Sequence, residues 1–330
     1  MSLKINNKIL FSNSSRPMII AEISANHNGS KKKFLNLIKL AHKNGADLIK
    51  IQTYEPNDIV LKSKDKKYQI KGGLWDKKYL WDLYTKAQTP YKWHDSAFKL
   101  ARKIGATLFS TPFSARGVDL LEKHKVKLYK IASLENTDVN LINRIAKTKK
   151  PIIISTGASN FKEVKQALKI INKYHNNIII LHCVSEYPTP LNNANLSRIQ
   201  KLKKNFKKNL IGLSDHTMGI GVSVASVSLG ATVIEKHFTL DKNLPGPDHR
   251  ASLEPVDLKL MVNAIRKIES ALGSDQKMCT SSEKKNVKLV RKSIVAARPI
   301  EVGEAFTEEN LTVKRPGTGL SPMLWDTVIG

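Results

Sequence analysis

The feature that most constrains this chain is a repeat. Eight short apolar runs, at residues 18–24, 46–54, 107–113, 128–133, 151–157, 178–184, 211–217 and 232–240, alternate with segments of helical period. Continuous apolar runs of this length suit parallel strands covered on both faces, not half-exposed ones. Among the intervening segments, residues 34–44 put Leu35, Ile38, Ala41 and His42 on one side, and Gly45 follows as a stop. Residues 161–174 put Val164, Leu168 and Ile171 on one face, behind Ser159 and Asn160, residue types that cap helix N-termini. A further helix over 221–229 ends at Gly230. Eight strand–helix pairs predict an α/β fold, a (β/α)8 TIM barrel. An open doubly wound sheet is the alternative, but it usually has fewer strands and a Gly-rich first turn, which is missing here.

Two segments fall outside the repeat. Residues 55–94 form an insertion with three of the four tryptophans, Trp75, Trp81 and Trp93, and a turn at Gly72 and Gly73. After a last barrel helix over 256–272, residues 273–285 are polar and aperiodic. Beyond them, short strand-like pieces with Gly303, Gly317, Gly319 and three prolines predict a small, turn-rich β module. A module of that size needs another surface to dock on. The expected organisation is a barrel over 1–272, a linker over 273–285 and a β-rich module over 286–330.

With 330 residues, 41% of them hydrophobic, the chain can bury a sizeable core. No apolar run approaches a membrane span and residues 1–15 lack a signal core, so a cytoplasmic chain without membrane association is expected. Cys183, in an apolar run, and Cys279, in a polar stretch, make no disulfide framework. The net charge of +27 points toward nucleic acid, but the lysines recur on polar helix sides at 31–33, 62–67, 201–208 and 284–288. They are not interleaved with aromatics, and no nucleic-acid-binding motif accompanies them. Solvated helix faces are the plainer reading. No specific nucleic-acid partner is expected, only adhesion to polyanions at low salt.

A barrel gathers its chemistry at the C-terminal ends of its strands. There the eight runs supply Glu22; Lys50 and Gln52; Ser110 and Thr111; Lys130, Ser133 and Glu135; Ser155 and Thr156; Ser185 and Tyr187; Ser214, Asp215 and His216; Glu235, Lys236 and His237. Any one of these could be an ordinary loop or capping residue. Eight contributions in register make a site. His216 and His237 end neighbouring runs, so they could converge on a first-row divalent ion such as Mn²⁺ or Fe²⁺. A hydrogen bond within the barrel mouth is the plain alternative for His216. Lys50 and Lys130 sit in apolar strands, where an unpaired ammonium is costly. Salt bridges to Glu22 or Glu135, an anionic phosphate or carboxylate substrate, and a Schiff-base lysine remain three open readings.

Residues 20–29 (IAEISANHNG), 49–53 (IKIQT), 129–135 (YKIASLE), 154–157 (ISTG), 212–217 (GLSDHT) and 234–239 (IEKHFT) resemble the sialic acid synthases. These are phosphoenolpyruvate-dependent transferases that form a C–C bond to make nine-carbon nonulosonic acids. The match runs in order over nearly the whole chain. Residues 314–319 (KRPGTG) resemble the family's C-terminal antifreeze-like (SAF) module, which crosses a dimer to cover the other barrel. Against that family the module looks C-terminally incomplete at Gly330.

The resemblance implies roles. Lys50, Gln52, Thr111, Lys130, Ser133, Ser155 and Ser214 would hold the phosphate and carboxylate of phosphoenolpyruvate, with Ser185 at a position where relatives have Asn or Ser. His216 and His237 would bind Mn²⁺, Mg²⁺ or another divalent metal, a Lewis acid for the sugar aldehyde. Glu22, Glu135, Tyr187 and Asp248 would face an N-acetylated amino sugar, with Glu22 or Glu135 as proton shuttle. Arg315 of the partner subunit would meet the N-acyl group in a domain-swapped homodimer.

Residues 68–94 are similar to pseudaminic acid synthases, which take a 6-deoxy-2,4-diacetamido sugar, and Trp75 and Trp81 would pack on its deoxy methyl or second acetamido group. Residues 182–187 (HCVSEY) and 246–255 (GPDHRASLEP) look more like N-acetylneuraminate and legionaminate synthases. The reading leans to pseudaminic acid synthase, with those two as alternatives. A Schiff-base barrel aldolase and a basic nucleic-acid-binding protein are the rivals outside the class.

Overall fold

The computed structural model describes residues 2–5, 9–12, 16–72 and 76–330. Trp75 lies outside them. Two short antiparallel strands come first, β1 (Ser2–Ile5) and β2 (Ile9–Ser12). Eight parallel strands then close a barrel: β3 (Met18–Glu22), β4 (Leu48–Thr53), β5 (Leu108–Pro112), β6 (Tyr129–Ile131), β7 (Ile152–Ser155), β8 (Ile178–Cys183), β9 (Leu210–Asp215) and β10 (Val233–His237). Neighbours in sequence are neighbours in the sheet, and β10 closes the ring by pairing with both β9 and β3. Each strand falls within one of the eight apolar runs or begins one residue before it.

Strand geometry sorts the side chains. Successive residues point to opposite faces, so alternate positions share the barrel interior. Ile20, Leu48, Phe109, Leu128, Ile153, Ile179, Leu181, Leu210 and Val233 form a dry inner cluster, closed by Phe11 from β2 and Met18. That N-terminal hairpin was not anticipated from the sequence. The intervening residues, such as Ile19, Ile49, Tyr129, Ile152 and Ile234, point outward into the larger core shared with the helices. Gly212 is an interior position where a side chain has no room: a Cβ would lie 2.7 Å from Leu181 Cδ2 and closer still to the Val233 carbonyl.

The helices fit their sequence signals with small shifts. Lys31–Lys43 buries Phe34, Leu37, Ile38 and Ala41, a face rotated away from Leu35 and His42. Phe161–Ile171 starts at a capping box in which Asn160 and Glu163 satisfy each other's backbone N–H groups. The insertion ends earlier than expected: Tyr91–Ile104 is a barrel helix that buries Trp93 and His94. The insertion proper holds two 3₁₀ turns (Pro56–Asp58 and Lys66–Tyr68) and one helix, Leu80–Ala87. No helix among the described residues is long and apolar enough to cross a membrane.

The chain divides into two compact units, Met1–Leu272 and Gly273–Gly330. In the second unit, β11 (Ser293–Ala296) and β12 (Leu311–Lys314) pair antiparallel. The stretch read as a linker carries a helical turn, Ser281–Lys284, capped by Thr280.

Candidate active site

The C-terminal ends of the strands surround a cavity of about 520 Å³, within the range of small-molecule sites. Strand parity decides what reaches it. Two residues beyond the dry layer (four in β9, past Gly212), the same inward positions carry Glu22, Lys50, Thr111, Lys130, Ser155, Cys183, Ser214 and Glu235. Gln52 and His237 stand one step higher. All of these except Glu22 line the cavity, together with Ser133, Glu135, Ser185, Tyr187, His216 and Asp248.

Four of the polar strand-end residues face the other way, among them Thr156, whose hydroxyl donates to the Leu181 carbonyl at 2.9 Å. Asp215 and Lys236 form a buried pair at 3.0 Å on the outside of the barrel. The Asp215 carboxylate also accepts from Thr217 and Ser223, so this pair is internally satisfied. Ser110 donates to the Ile51 carbonyl and meets Thr53, which in turn contacts His94 at 2.8 Å. The expectation that all of these serve the mouth is corrected by the two-residue period of the strand.

The centre is a buried charge cluster. Lys50 Nζ lies 3.1 Å from Glu22 Oε2 and 2.9 Å from Glu235 Oε1. Ser214 Oγ donates to the same Glu235 oxygen at 3.0 Å, and Lys130 Nζ stands 3.8 Å from it. Lys130 also donates to the Ile131 carbonyl. The ion-pair reading for Lys50 thus holds with Glu22, and its other partner is Glu235. Glu135 forms no ion pair with either lysine among the described residues. Glu235 was seen only as a strand-end polar residue, yet its even spacing from Val233 and His237 puts it on the interior side.

Burial and charge act against each other here. Burial pushes the Glu22 carboxyl up to about 7, although Lys50 pulls it down. Burial likewise lifts Glu135 to about 7 against the pull of Lys130. Burial opposes ionisation of Glu235 as well, but Lys130 and Lys50 outweigh it and hold this carboxyl at about 2. Burial lowers Lys130 to about 8, partly countered by Glu235. Burial also disfavours the Lys50 charge, yet its two carboxylates raise its pKa above the usual lysine range. The cluster therefore holds two carboxyls and one lysine that exchange protons near neutrality, around an ion pair that stays charged.

His216 and His237 meet edge to face with ring centroids 5.2 Å apart, and the Tyr187 ring lies 4.0 Å from His216. His216 Nδ1 lies 2.7 Å from the Val184 carbonyl, which fixes Nδ1 as the protonated nitrogen and leaves Nε2 free. The His237 imidazole makes no hydrogen bond among the described residues, and its Nδ1 is buried 4.0 Å from Asp248 Oδ2. Asp248 accepts from Ser24 Oγ and from the Ala25 amide. Cys183 Sγ is 3.8 Å from His216 Nδ1. No cluster of three or more acidic, His or Cys ligands occurs among the described residues.

The most telling feature is a set of unanswered polar atoms. Thr111 Oγ1, Ser155 Oγ, Glu135 Oε2, Glu235 Oε2 and His237 Nδ1 are buried without a hydrogen-bonding partner, and all belong to cavity-lining residues. Folded proteins rarely leave such groups unmet. Their clustering in one cavity marks a place built for a polar ligand. Gly157 keeps the same wall open: its N–H donates to Ser133 Oγ at 2.9 Å, and a Cβ there would collide with Ser133 and Ser185.

Arg315 belongs to the second unit, where it is exposed and its Nε donates to the Val290 carbonyl. Trp81 does not line the cavity. The insertion instead contributes Ile59, Gly72, Leu83, Tyr84 and Ala87. Tyr84 packs edge to face on Tyr54, and Tyr54 on Phe113. The insertion's aromatic residues stand out in its sequence, but the phase of the helix decides that Tyr84 rather than Trp81 lines the cavity.

Fold and site together define a (β/α)8 barrel whose mouth is equipped to hold a polar, anionic ligand between lysines, hydroxyls and imidazoles. The chain belongs to the NeuB family, whose model matches residues 37–277; a SAF domain matches residues 291–330. It is 44% identical over 319 residues to an N,N'-diacetyllegionaminic acid synthase of Campylobacter jejuni, spanning 96% of this chain and 95% of that one. It is 43% identical over 321 residues to a pseudaminic acid synthase of the same species, spanning 97% and 93%. An N-acetylneuraminic acid synthetase from Leptospira borgpetersenii, solved with citrate, superposes with a TM-score of 0.78 at 30% identity. That match covers 87% of this chain and 95% of the other.

Proposed function

We propose that this protein is a transferase that condenses phosphoenolpyruvate with an open-chain N-acetylated amino sugar, giving a nonulosonic acid and inorganic phosphate. The observation that carries the reading is the set of unpartnered buried donors and acceptors around the Lys50–Glu235–Lys130 cluster. Lys50, Lys130 and the hydroxyls of Thr111, Ser133, Ser155, Ser185 and Ser214, with the Gln52 amide, would hold the phosphate and carboxylate by charge-assisted hydrogen bonds. Tyr187, Asp248, Glu22 and Glu135 would face the sugar. The sugar favoured is a 6-deoxy-2,4-diacetamido one, as the named relatives at 44% and 43% identity suggest. Between pseudaminate and legionaminate the two identities draw no distinction.

The residues suit a divalent metal, Mn²⁺ or Mg²⁺. His216 keeps Nε2 free, the His237 imidazole has no hydrogen-bonding partner among the described residues, and the Asp248 carboxylate adjoins it. When bound, such an ion supplies Lewis-acid polarisation of the sugar aldehyde. Carbon 3 of phosphoenolpyruvate then bonds to aldehyde carbon 1, whose oxygen takes up a proton and becomes a hydroxyl. Positive charge develops at carbon 2 of the enol, water adds there and loses one proton, and phosphate leaves by C–O cleavage, taking the remaining hydroxyl proton as carbon 2 becomes a ketone. The Glu235 carboxylate would favour that developing charge. Glu22 or Glu135, each titrating near 7, can give and take the two protons.

The deciding experiment is phosphate release from phosphoenolpyruvate with Mn²⁺ and a panel of diacetamido and monoacetamido sugars. Release with at least one sugar, abolished by a chelator, is expected. Covalent trapping by borohydride without any metal requirement would favour a Schiff-base lysine at Lys130 and overturn the reading. The same proposal includes a cytoplasmic, domain-swapped homodimer in which Arg315 of the partner subunit meets the N-acyl group. Mixing Arg315→Ala with His216→Ala protein should restore activity in mixed dimers; none in proven heterodimers would refute the trans arginine.

A further inference from the structure

We infer that one face of the insertion helix, carrying Leu83, Tyr84 and Ala87, is the specificity wall that selects the second acetamido group and deoxy methyl of the sugar. The inference rests on the proposed function and adds to it the residues that choose the substrate.

Helix Leu80–Ala87 has two faces of opposite use. Leu83, Tyr84 and Ala87 fall on one side by helical spacing, and all three line the cavity with Ile59 of the same insertion. Asp82 lies on the opposite side, and Trp81, one turn before Tyr84, flanks the wall without lining the cavity. Lys64 pairs with Asp82 at 2.8 Å, and Lys62 Nζ sits 5.7 Å from the Trp81 ring centroid. Trp81 thus meets Lys62 outside the cavity, while Tyr84 is presented to the ligand. The inner face is also braced. Tyr84 packs on Tyr54, and the base of the insertion is tied by Tyr91 to Asp58 at 2.9 Å and Arg116 to Glu55.

The wall is apolar except for the Tyr84 hydroxyl, which has no hydrogen bond among the described residues. Glu135 lines the same cavity, and its Oε2 atom is buried and unpartnered. A fully hydroxylated sugar would leave hydroxyls unmet against Leu83, Ala87 and Ile59. A deoxy methyl and an acetamido methyl suit that surface, and the amide offers one donor and one acceptor to the two unmatched polar atoms. Pockets of this kind discriminate a methyl-sized change by roughly 10- to 200-fold.

The test measures kcat/KM by phosphate release for a 6-deoxy-2,4-diacetamido sugar and for N-acetylmannosamine, at saturating phosphoenolpyruvate. Wild type, Tyr84→Ala, Leu83→Asn and Trp81→Ala are compared. The preference for the diacetamido sugar should fall by about 10-fold or more in the two inner-face variants. It should stay within about twofold in Trp81→Ala, with KM for phosphoenolpyruvate unchanged throughout. Tyr84→Phe, which keeps the ring, should lose only part of the preference. Equal losses for both sugars, an unchanged preference, or an equal effect from Trp81→Ala would overturn the wall. Phosphate release by wild type under these conditions keeps the enzyme class standing in each of those cases. Its absence with every sugar would remove the class and the wall together.

Discussion

The barrel interior has two layers, and they differ in almost everything but backbone. In the lower layer, Ile20, Leu48, Phe109, Leu128, Ile153, Leu181 and Val233 are apolar and fully packed. Two residues further along the same strands, the upper layer reads Glu22, Lys50, Thr111, Lys130, Ser155, Cys183 and Glu235. Both layers are almost wholly buried. The lower is stabilised by removal from water, about 1.5–3 kcal/mol per large apolar side chain. The upper layer gains little net stability from its ion pairs, because desolvation of the charges offsets much of their attraction. The lower layer holds the ring closed so that the upper can keep charges and unmet hydrogen-bonding atoms where a ligand will answer them.

The largest effects should come from the top of the upper layer. His216→Ala and His237→Ala should each abolish turnover while leaving the fold in place, as checked by phosphate release and circular dichroism. Chelation should silence the wild-type protein and Mn²⁺ should restore it. Full activity in a stringently metal-free sample would break the assignment.

Lys50→Met probes the layer itself. It leaves Glu22 and Glu235 without their shared cation, so both carboxyls would take up protons more readily. Turnover should fall by about 10²–10⁴-fold, the range for a displaced acid–base group. The cost in stability should reach about 3–5 kcal/mol, as for a broken buried pair. Phe109→Ala, in the layer below, should cost a similar 3–5 kcal/mol through the cavity it opens. It should keep most of its activity per folded molecule. Urea denaturation with kcat measured on the folded fraction separates the two. Comparable losses of kcat would mean that the layers are not functionally distinct.

Much of this division was legible in the sequence, because a strand's period of two is as strict as any rule a chain obeys. Ile20-x-Glu22, Leu48-x-Lys50, Leu128-x-Lys130 and Val233-x-Glu235 each place an apolar and a charged residue on one side. Applied to Ser110, Asp215 and Lys236, the same parity sends them outward, and it brings Glu235 into the centre. The insertion was harder. It lacks a repeat to set its phase, so Trp81 and Tyr84 looked equivalent until the helix fixed which faced the cavity. The N-terminal hairpin left a weak signal too: β1 and β2 are only four residues each, and Phe11 matters because of what it covers. Lys50's choice of Glu22 and Glu235 over Glu135 depends on distances between strands that no local pattern records.

The smallest effect tests whether the unmet polar atoms of the upper layer carry a measurable penalty. Glu135 has an ordinary carboxyl value of 4.5, which burial raises to about 7. Between those values the folded protein keeps a proton that the unfolded chain has already released. Its contribution to stability is therefore fully present below pH 4.5 and is lost as pH rises through 7. One pH unit corresponds to about 1.4 kcal/mol, and partial solvent contact reduces the effect, so about 1–3 kcal/mol is expected in all. Glu235, held at about 2, acts with the opposite sign and only below pH 4.5, outside this window. Urea unfolding followed through the buried Trp93 at pH 5 and pH 8 gives the wild-type loss. Glu135→Gln, which cannot ionise, should lose about 1–3 kcal/mol less over the same interval. Parallel losses in the two proteins would mean that the Glu135 carboxyl is better solvated than its unpartnered oxygen implies.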